Sequence, residues 1–210
     1  MNRLSFLALA VPVLCAVLSP APMQAQDDQV LMILKDSPSH DLGLALHGEV
    51  AVMQKMLQWA GFRVVIASPS GEPLTAGGIT VTPDLPLADV RMEEYEGVIL
   101  PCMCPEDDQP VPGLAAIVGA ALASGKPVAA QTGSVVALAK SGILTGRKFA
   151  YPEDWVSDVP EFGSSVYAGD WVVEDGNLIT SAVSPYAAQV LHQEEDGTQA
   201  LTGAFIKHLW

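Results

Sequence analysis

Gly125-Lys126-Pro127-Val128-Ala129-Ala130-Gln131-Thr132-Gly133-Ser134 reads as a breaker, a short buried strand and a sharp turn into a helix that runs on to Ser141 and stops at Gly142. The same grammar extends in both directions. Upstream, Val30-Leu31-Met32-Ile33-Leu34 is a continuous apolar run suited to a strand buried on both faces. Val50, Met53, Met56, Leu57 and Ala60 then recur at helical spacing and end at Gly61. Residues 62–67 supply a second β-rich run, residues 75–82 a small hairpin, and Gly97-Val98-Ile99-Leu100-Pro101 a further buried strand. Residues 113–124 are small and apolar enough for a packed helix. Downstream, residues 171–180 read as a hairpin turning at Asp175-Gly176, followed by helices near 185–193 and 198–208. Strands that alternate with helices imply an α/β sandwich of three layers, with a mainly parallel central sheet and helices on both faces.

The N-terminus predicts export. Arg3 precedes an almost wholly apolar stretch from Leu4 to Leu18, and small and polar residues follow around Ala21 to Gln26. That layout is a secretory signal peptide over residues 1–26, shorter than a membrane span and interrupted by Pro12 and Pro20, with the mature domain over 27–210. A periplasmic or secreted protein with no stable membrane span is the expectation. The formal net charge of -14 argues against a phosphate-binding surface, so nucleic acid is excluded as a partner. Once Cys15 leaves with the leader, Cys102 and Cys104 remain, too close in sequence to staple distant elements together. Stability must come from the core.

In a parallel sheet, ligands sit beyond the carboxyl ends of the strands, so chemistry is sought in the turns after them. Three segments matter: Gln131-Thr132-Gly133-Ser134, Pro101-Cys102-Met103-Cys104-Pro105, and the helix start around His47-Gly48-Glu49. The sequence here resembles the ThiJ/PfpI family, a branch of the class I glutamine amidotransferase-like superfamily with a flavodoxin-like sandwich. The resemblance rests on residues 125–130, on Ser141-Gly142-Ile143-Leu144-Thr145-Gly146-Arg147-Lys148 and on Asp175-Gly176-Asn177-Leu178-Ile179-Thr180-Ser181.

The resemblance implies a cysteine at the elbow after the strand, and Thr132 stands there instead. A helix N-terminus and a nearby carboxyl activate a thiol, whereas an alcohol gains little from either without a positioned base. Gly133 replaces the histidine that often follows the cysteine. A β-branched residue is strained at positive φ, so a relaxed turn is expected at Thr132, with Gly133 taking the unusual dihedrals. Thr132 and Ser134 also have a simpler reading as caps of the following helix. By resemblance, Glu49 holds the position of the carboxyl partner, and an ordinary first-turn glutamate is the alternative. Cys102 and Met103 replace the two glycines whose amides serve an oxyanion in the family, a second departure at the same pocket.

The leading reading is therefore an exported domain without turnover, which binds a small ligand or a protein partner through Thr132, Glu49, Cys102, Met103, Cys104, Gly133 and Ser134. No cofactor and no metal belong to it. The alternatives are a hydrolase or glyoxalase- or deglycase-like enzyme using Thr132 or Cys104 with Glu49, and a metal or redox module at Cys102 and Cys104. A homodimer is implied by resemblance. The aromatic set Tyr151, Trp155, Phe162, Tyr167 and Trp171 is read as core or as a pocket or subunit wall.

Overall fold

The structure, a computed structural model, describes residues 28–36, 42–102 and 111–210. The expected leader at 1–26, Met103 and Cys104 lie outside them. In chain order the strands are β1 (Gln29–Ile33), β2 (Arg63–Ser68), β3 (Leu74–Ala76), β4 (Ile79–Val81), β5 (Leu85–Pro86), β6 (Gly97–Leu100), β7 (Val128–Gln131), β8 (Lys148–Ala150), β9 (Val166–Gly169), β10 (Val172–Asp175) and β11 (Leu178–Ser181). The helices are α1 (Leu42–Ala45), α2 (Ala51–Trp59), α3 (Leu114–Ala123), α4 (Gly133–Lys140), α5 (Pro185–Val190) and α6 (Thr198–His208). One turn of π-helix, Leu46–Val50, joins α1 to α2.

The central sheet has seven strands in the order β10-β11-β7-β6-β1-β2-β5. All neighbours run parallel except β10, which pairs antiparallel with β11 through the hairpin at Asp175-Gly176. This is the mainly parallel flavodoxin-like architecture that the sequence pattern implies. Strands β3 and β4 form the small hairpin, while β8 and β9 make a separate parallel pair that the sequence did not announce. Among the described residues, no helix is long and apolar enough to cross a membrane.

Burial on both faces explains why the strands read as unbroken apolar runs. On β1, Leu31 and Ile33 point into one cluster with Val98, Leu100, Val118 and Leu138, while Val30 and Met32 point into another with Met53, Leu57, Ile99 and Phe205. Each such side chain contributes about 1.5–3 kcal/mol when fully removed from water. The short motifs behind the family resemblance serve this packing. Lys126 lays its ammonium on the backbone carbonyls of Met92 and Tyr95, which closes the approach to β6. Asn177 donates its side-chain amide to the carbonyls of Leu122 (3.1 Å) and Lys126 (2.9 Å), fastening β11 to the end of α3. Gly97 is required by contact: a Cβ there would lie 2.8 Å from Phe205 Cζ and 2.9 Å from the Pro127 carbonyl oxygen.

Candidate functional site

Strands β6 and β7 run parallel with Leu100 opposite Ala130. Two residues further along each chain, that register brings Cys102 and Thr132 to the same end of the sheet. Glu49 reaches this point from the π-helical turn, whose extra residue per turn redirects a side chain inward. Thr132 is 1% exposed, Glu49 1% and Cys102 5%, so all three side chains are under cover.

The elbow is strained, contrary to the expectation of a relaxed turn. Thr132 has φ 38° and ψ −98°, and Gly133 is the first residue of α4 without a positive φ. A β-branched residue in that region stores about 1–3 kcal/mol and persists when its surroundings over-determine it. Here the constraints are visible. The Thr132 amide donates to the Ser181 carbonyl at 2.8 Å, and the Thr132 hydroxyl donates to the Ala182 carbonyl at 2.8 Å. Both bonds tie the elbow to the strand end of β11, so the chain must turn at residue 132 itself.

The capping alternative is corrected as well. Thr132 makes no side-chain cap to α4, and the Ser134 hydroxyl donates to the Pro101 carbonyl, which pins the end of β6 against the helix. The Thr132 hydroxyl is committed to Ala182 and forms no pair with Glu49. It is the thiol of Cys102 that meets the N-terminus of α4: the Gly133 amide donates to Cys102 Sγ at 3.2 Å.

Neither carboxyl oxygen of Glu49 has a hydrogen-bond partner among the described residues. Burial pushes its carboxyl well above the ordinary value of 4.5, and the negative charge available to Cys102 pushes it the same way. The Cys102 backbone amide pulls in the opposite direction without reaching hydrogen-bond geometry, and Asp196 adds a smaller upward push. Glu49 therefore holds its proton at a pH where surface glutamates have lost theirs. That Cys102 and Thr132 share one end of the sheet was legible in principle from the parallel register of β6 and β7. Sequence reasoning paired Glu49 with Thr132 or Cys104; Thr132 bonds to Ala182 instead, and Cys104 lies outside the described residues.

No group of three or more His, Cys, Asp or Glu able to hold a metal occurs among the described residues. The aromatic set divides. Tyr151 and Phe162 are buried with ring centroids 4.9 Å apart, and Phe149 stacks on Phe162 at 4.3 Å, so these rings are core. Trp171 is 40% exposed and lines a cavity of about 440 Å³ with Gly48, Val52, Glu194 and Asp196.

A mainly parallel α/β sandwich with a strained strand-to-helix turn at Thr132 defines the class, a flavodoxin-like domain. The pattern of the DJ-1/PfpI family matches residues 45–193, and the chain belongs to that family. A Bacillus subtilis (strain 168) protein described as the uncharacterized protease YoaZ is 30% identical over 139 residues, 63% of this chain and 66% of that protein. The chain thus spans just under two thirds of that relative. The ThiJ/PfpI domain protein from Brachyspira murdochii superposes with a TM-score of 0.66 at 18% identity, covering 86% of this chain and 95% of its own. Drosophila melanogaster DJ-1beta gives a TM-score of 0.57 at 26% identity, covering 87% of this chain and 97% of its own.

Proposed function

We propose that this is an exported DJ-1/PfpI domain that does not turn over peptides or α-oxoaldehydes at its elbow and acts by binding a small ligand or a protein partner. One observation carries the reading: the two groups an acyl- or carbonyl-transfer elbow needs are both committed elsewhere. The alcohol of Thr132 donates to Ala182, and the amide of Gly133, placed to receive a developing oxyanion, donates to Cys102 Sγ. No buried base stands ready either, since Glu49 keeps its proton. The cavity beside Gly48, with Trp171 on its wall and Asp196 at its edge, supplies room for a ligand next to the same turn. Export to the periplasm or beyond rests on the pattern of residues 1–26, and self-association rests on the family resemblance.

The test is turnover by the purified protein of a chromogenic peptide and of a simple α-oxoaldehyde, with Thr132→Ala alongside. No difference between wild type and variant is expected. Turnover that vanishes in Thr132→Ala would end the reading. The name of YoaZ keeps a hydrolytic second reading in view, and its nucleophile here would be Cys102, the thiol that stands beside Glu49. Turnover retained in Thr132→Ala and lost in Cys102→Ser is the result that favours it.

A further inference from the structure

We infer that the groove between the pair β8 and β9 and the 3-10 helices that connect them is a docking surface for an extended, positively charged segment of a partner protein, anchored by an apolar side chain. The inference names the kind of partner that the reading above leaves open, and it rests on that reading only in that the domain works by binding. The surface lies apart from the elbow and from the cavity beside Gly48. Two 3-10 helices, Glu153–Asp158 and Pro160–Ser164, pack across the strands and leave a groove of about 390 Å³. Its lining includes the buried rings of Phe149 and Phe162 and the more open side chains of Val156, Val159, Pro160 and Tyr167. An apolar side chain entering the groove is removed from water on several sides, which is what an anchor residue requires. The Ser165 hydroxyl also lines the groove and has no hydrogen-bond partner among the described residues.

Charge around the apolar strip selects the occupant. Residues 149–170 carry Glu153, Asp154, Asp158, Glu161 and Asp170 and no Lys, Arg or His, and all of these acids are exposed. Asp158 stands between the lining residues Ser157 and Val159, and Glu161 between Pro160 and Phe162, so carboxylates interleave with the groove's own wall. Burial raises the Tyr167 hydroxyl above its ordinary value of 10.0, and Glu153, Asp170 and Asp154 push it the same way. Arg147 and Lys148, just upstream, do not line the groove. Such a rim steers a basic chain and repels an acidic one, a second copy of this chain with its formal net charge of -14 included. The neighbouring strand favours an extended chain. β9 pairs with β8 alone in its two-stranded sheet, which leaves its other edge without a strand among the described residues, and Val166 on it is 49% exposed. A peptide that adds to such an edge gains main-chain hydrogen bonds and presents alternate side chains to the groove.

The experiment titrates the full chain into a fluorescein-labelled peptide that alternates lysine and valine about a central phenylalanine, and follows anisotropy at low salt. Two comparison peptides carry glutamate for lysine, or serine for valine and phenylalanine. The lysine–valine peptide is expected to bind saturably, and both comparison peptides at least about tenfold more weakly. Asp158→Lys with Glu161→Lys should weaken binding by about tenfold, whereas Glu72→Lys with Asp89→Lys, an equal change of net charge on exposed residues near the far edge strand β5, should leave it unchanged. Gly163 lines the groove with nothing within 4 Å of where a Cβ would stand, so Gly163→Leu obstructs the groove without a clash and should also weaken binding by about tenfold. Urea midpoints verify that each variant is folded. No binding of the lysine–valine peptide overturns the inference, as does equal weakening by the two charge reversals, wild-type affinity in Gly163→Leu, or equal affinity for the serine peptide. None of these substitutions touches Thr132, so such a failure stays separate from the turnover test of the domain itself.

Discussion

Replacing Glu49 by glutamine is expected to change how stability depends on pH, in the direction opposite to that of an ordinary carboxylate. The side chain is 1% exposed and its oxygens have no partner among the described residues, so the folded state accepts the neutral form and penalises the charged one. In the unfolded chain the group titrates near 4.5. Above that value the folded state holds a proton that the unfolded state has released, so unfolding releases a proton and stability falls as pH rises. The contribution is fully present below 4.5 and is lost as pH climbs through the raised folded value. One proton sets the steepest slope at about 1.4 kcal/mol per pH unit. Glutamine carries no such proton. Its amide leaves two unpartnered hydrogens that cost about 1–3 kcal/mol, a fixed offset independent of pH. The quantity to measure is therefore the difference in unfolding free energy, variant minus wild type, from urea titrations at intervals of one pH unit upward from about 4. It should rise with pH, whatever its starting sign. Burial outweighs Cys102 among the causes, so the same rise should appear when both proteins also carry Cys102→Ser. A difference that stays flat, or falls, across the acid range would show that Glu49 ionises freely in the folded protein.

Gly97→Ala should lower stability by about 1–3 kcal/mol in urea titrations, because the new methyl would press on Phe205 and on the Pro127 carbonyl at contacts under 3 Å, and the backbone leading into β7 cannot relieve the second. An unchanged midpoint would mean that the two faces of the sheet pack more loosely than these distances allow. Thr132→Val keeps the branched shape and removes the hydroxyl, leaving the buried Ala182 carbonyl without its donor, and should cost about 1–3 kcal/mol. Thr132→Ser keeps the donor and sheds the branch, so a serine variant as unstable as the valine one would refute the role given to that bond.

Most of the layout was legible because the determinants are local. Apolar runs such as Val98-Ile99-Leu100 and Val128-Ala129-Ala130 are short, unbroken and bounded by Gly or Pro, which separates strands buried on both faces from amphipathic helices. The pair β8 and β9 was not legible: Lys148–Ala150 is three residues long and pairs with a segment beyond two 3-10 helices, Glu153–Asp158 and Pro160–Ser164, so no local period marks it. The π-helical turn at Leu46–Val50 was hidden for the same reason, since its composition fits an α-helix and only packing adds the extra residue. The backbone at Thr132 went against the expectation because steric preference favours glycine at positive φ, while the two bonds to Ser181 and Ala182 decide where the chain must turn. A preference of about 1–2 kcal/mol loses to two buried hydrogen bonds and the register of a parallel strand.

The two departures that the family resemblance implies at this pocket, Thr132 for a cysteine and Cys102-Met103 for two glycines, look independent in sequence, yet Cys102 and the residue after Thr132 touch in space. A glycine at 102 would leave the Gly133 amide open, and a side chain at 102 fills that place. The side chain that fills it is a thiol, delivered by β6 to the N-terminus of α4. Thr132 complements this arrangement by turning its hydroxyl away to Ala182, so no second acceptor competes for the amide. Had the elbow merely decayed, Glu49 would be a buried acid with nothing to serve, and exchange for an apolar residue would relieve the unfavourable burial of its carboxyl. A carboxyl kept at 1% exposure with both oxygens unpartnered among the described residues is a cost the folded chain carries at this turn, and the pH dependence of stability is where that cost becomes measurable.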